Sequence, residues 1–87
     1  MVKNFMEIVL EHMLPGVLLQ YPEQCKCEKC IDDIKAIALN KLKPLYMVTE
    51  KGNVYLKLNE LEIQFRTDVL KELVQAISLV SKNQRHN

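Results

Sequence analysis

The stretch Gln24-Cys25-Lys26-Cys27-Glu28-Lys29-Cys30 gathers all three cysteines of the chain into six residues. It lies where an apolar-rich N-terminal segment hands over to a regular amphipathic pattern. Cys27-x-x-Cys30 is a zinc-knuckle spacing, with its second sulfur at a helix start. A helix N-terminus favours the thiolate, which is the form that binds metal. Cys25 adds a third sulfur two residues earlier, and a tight turn can aim all three at one point. Lys26 and Lys29 offset the charge of a thiolate cluster. Zinc takes four ligands in a closed tetrahedral site when its role is structural. The sequence therefore implies Zn2+ on Cys25, Cys27 and Cys30, with a fourth ligand from elsewhere. His12, Glu11, Glu23, water or a group on a partner chain are the candidates. A redox dithiol at Cys27 and Cys30 is the second reading, but the βαβ context of such motifs is missing. Inert buried thiols are the third. An odd cysteine count argues against a disulfide framework.

Working outward, residues 30–42 read as the most regular helix. Ile31, Ile34, Ala38 and Leu42 form one apolar row, flanked by Ile37 and Leu39. Asp32 and Asp33 sit in its first turn, and Lys41 and Lys43 at its end, as the helix dipole prefers. Pro44 closes it. Upstream, Phe5, Ile8, Val9 and Met13 predict a helix over residues 2–13. Pro15-Gly16 is expected to break or kink it. Residues 23–30 form the cysteine turn. Downstream, residues 44–58 are irregular, with a turn signal at Gly52-Asn53 and weak alternation over Val54–Leu58 that suits a short strand or an extended arm. Such a strand needs a partner, either Leu45–Thr49 or a second subunit. Asn59-Glu60-Leu61-Glu62 resembles a helix cap, and a long helix is predicted over 59–81. Ile63, Leu70 and Ile77 repeat at seven.

Length sets the frame for these elements. The chain has 87 residues, enough for one domain. A chain of that size buries only about 60% of its unfolded surface, so it needs a metal, a disulfide or a second subunit as a staple. The predicted long helix is apolar on more than one face. A helical homodimer is the simplest way to cover it. The expected fold is therefore all-α: one domain over 1–87, three to four helices, an irregular or extended segment near 44–58, and a homodimer.

Charge excludes several functions. Lys plus Arg number 12 and Asp plus Glu 11, for a net of +1. Direct DNA binding is not expected from that balance. Residues 25–51 are the local exception, with six lysines against four acids; a solvated helix face accounts for most of them. No nucleophile–base pair and no glycine-rich phosphate loop is present, and the histidines are His12 and His86 alone, so no enzyme is expected. Glu7, Glu11 and His12 interrupt the apolar run of residues 5–19, so neither a secretory leader nor a membrane span is expected, and the chain reads as cytoplasmic.

A family resemblance covers nearly the whole chain. It rests on the apolar N-terminal helix, Tyr21-Pro22 before the three cysteines, and the helix Cys30–Asn40. Leu42-Lys43-Pro44-Leu45-Tyr46 with Thr49 follows, then Arg66-Thr67-Asp68-Val69 and Ala76-Ile77. These features resemble ComFB, the late competence development protein family. The resemblance implies an all-helical homodimer with zinc on the cysteines. It implies encoding alongside DNA-uptake components of naturally competent bacteria, without itself being the DNA-handling enzyme. It also implies other competence proteins as partners, and a cyclic dinucleotide (cyclic di-GMP or cyclic di-AMP) as a ligand. The matching positions are Lys41, Lys43, Tyr46, Thr49 and Arg66. Lysines and an arginine can meet phosphates, and a tyrosine can stack on a base. The alternatives are plain: Tyr46 can be a core aromatic after a helix stop, and the lysines can serve the helix C-terminus. A structural or protein-interaction adaptor with no small ligand is the competing function.

Overall fold

Asn4 sets the N-terminal boundary of the first helix. Its backbone is extended, and its side-chain oxygen accepts from the Met6 N–H at 3.1 Å. That satisfies one of the donors a helix start leaves unpaired. The computed structural model describes residues 2–48 and 54–83. Their elements are β1 (Val2–Asn4), α1 (Phe5–Leu18), α2 (Glu28–Lys41), β2 (Tyr46–Val48) and α3 (Val54–Lys82).

The all-helical expectation holds, with one small addition. β1 and β2 pair antiparallel, Val2 opposite Val48 and Asn4 opposite Tyr46. The first helix therefore starts at Phe5, where residues 2–4 had been expected to be helical. The Leu45–Thr49 region finds its partner at the N-terminus, not in the segment after Gly52-Asn53. Thr49 and the turn at Gly52-Asn53 lie outside the described residues.

Pro15-Gly16 does not break α1. Leu14, Val17 and Leu18 carry the buried row of the helix past it, while Pro15 and Gly16 face solvent. Pro15 has no N–H for the Glu11 carbonyl, and Glu11 lies on the same exposed side. Burial of the flanking leucines outweighs the loss.

α3 begins at Val54, so the expected short strand over Val54–Leu58 is helix instead. Leu58 and Leu61 are both buried, three residues apart, and extend the row Phe65, Val69, Leu73, Ala76, Val80 backward at helical spacing. Leu56, Lys57 and Leu58 are also good helix formers. Asn59 therefore lies inside the helix and caps nothing. At about 1.5 Å per residue, α3 runs the length of a molecule measuring 39 × 22 × 20 Å.

α3 packs on both α1 and α2. The core is Phe5, Met6, Val9, Leu10 and Leu14 from α1, Cys30, Ile34 and Ala38 from α2, and Leu73, Ala76 and Ile77 with their neighbours from α3. The repeat at seven on α3 does not stay on one side. Exposure runs 70% at Leu56, 76% at Ile63, 41% at Leu70 and 1% at Ile77. A straight helix drifts about 20° per heptad, so a row that starts in solvent turns into the core by its third step.

Candidate metal centre

The cysteine turn hangs between two helix ends. α1 ends at Leu18, and its last carbonyls are closed by Gln20 N–H on Val17 and Tyr21 N–H on Leu18, each at 3.0 Å. The Gln24 N–H then donates to the Tyr21 carbonyl at 3.0 Å and tightens the turn. Cys27 is the N-cap of α2: its sulfur accepts from the Cys30 N–H at 3.4 Å. Its carbonyl accepts from the Ile31 N–H at 3.0 Å. Cys27 and Cys30 are thereby fixed on the first turn of α2, at the positive end of its dipole.

The three sulfurs of Cys25, Cys27 and Cys30 lie within 4.8 Å of one another. Tetrahedral zinc at about 2.3 Å from each sulfur spaces them by about 3.8 Å. Small side-chain rotations close that difference, so the residues present fit the ion. Cys30 is buried, Cys25 half-buried and Cys27 exposed. The Cys30 thiol is pushed up from 9.0 to about 12, first by burial, then by hydrogen bonds to Cys27 and Cys25 and by their nearby charge. Cys30 in that setting keeps its proton until a cation arrives to reverse the balance. Lys26 folds over the turn, its Nζ 3.2 Å from the Gln24 carbonyl and 3.5 Å from that of Pro22.

His12 is placed elsewhere. Its Nε2 lies 3.3 Å from Glu62 on α3. Arg66 also approaches Glu62, at 3.8 Å. Among the described residues, the group able to hold a metal consists of the three cysteines. Glu11, another candidate ligand, faces Lys35 at 3.7 Å. Lys41 and Lys43 are exposed at and beyond the end of α2, and Tyr46 is exposed on β2. Tyr46 borders a shallow depression with Lys3, Asn4, Glu7, Ile8 and Glu11.

The profile of the family described as "Late competence development protein ComFB" matches residues 3–84. The chain belongs to the ComFB family. Competence protein ComFB of Bacillus subtilis (strain 168) is 31% identical over 83 residues, covering 95% of this chain and 85% of that relative. A solved structure described as the late competence protein ComFB from Bacillus subtilis superposes with a TM-score of 0.82 at 30% identity, covering 99% of this chain and 97% of that one. The chain thus has the fold of that solved ComFB structure. No helix among the described residues is long and apolar enough to cross a membrane.

Two residues whose side chains tie separate segments together, Asn4 to Leu45 and Gln24 to Ser81, escaped the sequence reading. Asn4 carried a signal: Asn4-x-x-Glu7 has the spacing of a capping box. Gln24 carried none, because nothing local marks a buried glutamine beside a cysteine.

Proposed function

We propose that this ComFB-family chain is a non-enzymatic, zinc-stapled homodimer that serves bacterial competence as a regulatory module, with a cyclic dinucleotide as its ligand. The observation that carries the zinc is the convergence of three sulfurs at the start of α2. We assign the metal a structural role, because the sulfurs join the cysteine turn to the first turn of α2 in a chain small enough to need a staple. The self-association rests on the exposed apolar side chains Leu56, Ile63 and Leu70 on one stretch of α3. A second copy covers them by isologous pairing.

The ligand reading rests on the exposed set Lys41, Lys43 and Tyr46 where α2 passes into β2, with Thr49 and Arg66 as further candidates. A cyclic dinucleotide has two phosphates and two bases. A twofold dimer presents the basic and aromatic groups twice. Calorimetric titration with cyclic di-GMP and cyclic di-AMP tests the proposal: saturable heat and a rise in melting temperature at excess ligand are expected.

The alternative is an adaptor that binds competence proteins and no small ligand. The scattered exposed side chains Leu19, Val48 and Leu79 favour it. It predicts zinc and dimerisation with no heat from either nucleotide.

A further inference from the structure

Gln24 is the one buried polar side chain among the described residues, at 5% exposure. Its amide Nε2 donates to the Cys25 carbonyl at 3.0 Å. Its Oε1 accepts from the hydroxyl of Ser81, 57 residues on, at 2.5 Å. The orientation follows from chemistry, since the Cys25 carbonyl can only accept. Packing alone would be met by an apolar residue of similar volume. A buried amide costs desolvation and is worth that cost only with its partners in place.

The three sulfurs differ in how they are held. Cys27 and Cys30 are placed by the first turn of α2. Cys25 precedes that turn in irregular backbone. The Gln24 amide ties this backbone to the last turn of α3. We infer that Gln24 is a positioning residue of the metal centre, coupling metal capture by Cys25 to the docking of the C-terminal turn of α3. The inference rests on the metal reading above. Groups that orient ligands in this way change metal affinity by about 10–100-fold when removed. Coupling is reciprocal, so metal binding in turn secures the end of α3.

The test is Co2+ titration of the full chain, read by thiolate charge-transfer and d–d absorption well below the melting temperature. Hydrogen exchange over the last turn of α3 accompanies it. Gln24→Ala is expected to bind Co2+ about 10–100-fold more weakly, with an altered d–d band. Ser81→Ala, at an exposed position that endangers no core, is expected to shift both in the same direction by less. Val80→Ala loosens the same end of α3 through the core while leaving the Gln24 bonds in place; the coupling passes on only part of that loss, so it is expected to bind Co2+ more tightly than Gln24→Ala and to keep the wild-type d–d band. Metal is expected to slow exchange at the end of α3 in wild type and not in Gln24→Ala. Wild type that binds Co2+, with both Gln24→Ala and Ser81→Ala matching it, overturns this inference alone. Equal weakening in Val80→Ala also overturns it, because general destabilisation then explains the effect. Wild type that takes up no Co2+ overturns the metal reading and this inference with it.

Discussion

The side-chain oxygen of Asn4 accepts a 2.8 Å hydrogen bond from the backbone N–H of Leu45. The Leu45 carbonyl in turn accepts from the Phe5 N–H at 2.7 Å. The same Asn4 oxygen caps α1 through Met6. One side chain therefore starts the first helix and anchors the segment that follows the second. Asn4→Ala removes both bonds. It is expected to lower stability by about 1–2 kcal/mol, as lost caps do, in chemical denaturation. Asn4→Asp keeps the acceptor and is expected to recover most of the loss.

Gly16 lies on the exposed side of α1, and a methyl group there meets nothing within 4 Å. Its helical backbone costs chain entropy that alanine does not. Gly16→Ala is expected to raise stability by about 0.5–1 kcal/mol, measured by the same denaturation.

How much of this was legible in the sequence depends on the range of the force involved. Helical periodicity is local, so three helices in the right order and the cysteine turn could be read directly. Cys27-x-x-Cys30 at a helix start is also local, and the structure brings Cys25 to the same point. The β1–β2 pair was not legible. Three-residue strands carry no pattern of their own, and Val2–Asn4 pairs with Tyr46–Val48 because Asn4 and Leu45 meet in the tertiary fold. Pro15 misled for a related reason: a local breaker lost to the burial of Leu14, Val17 and Leu18 on the far side. Val54–Leu58 alternates and is also helical in period, and only the burial of Leu58 beside Leu61 decides between the two.

Ile63 is more exposed than any other residue of the α3 row. Ile63→Asp is expected to weaken the proposed dimer while leaving helicity and the monomer fold intact. Light scattering at micromolar concentration checks this. A wild-type chain that is already monomeric, or a variant with unchanged dimer mass, contradicts the pairing assigned to α3. Leu70, half turned toward the core, is expected to damage the fold as well when replaced by Asp.

The raised Cys30 value of about 12 sets two pH trends. In the metal-free chain the fold favours the neutral thiol. This group's contribution to stability is then complete below about 9, its ordinary value, and is lost as pH rises from there toward 12. Metal binding must displace thiol protons, so affinity falls as pH is lowered below neutrality. Chelator competition between pH 6 and 8 is expected to show steadily weaker binding toward the acid end, with protons released on uptake. A flat profile contradicts thiolate ligation.

The most direct test of the account is the metal content of the purified chain. Elemental analysis beside a thiol titration is expected to find about one zinc per chain in wild type, as one site on these cysteines requires. The Cys27→Ser, Cys30→Ser double variant is expected to hold almost none and to lose several kcal/mol of stability. A wild-type chain free of zinc after metal-replete expression, or a double variant that keeps both its zinc and its melting temperature, contradicts a centre built on Cys25, Cys27 and Cys30.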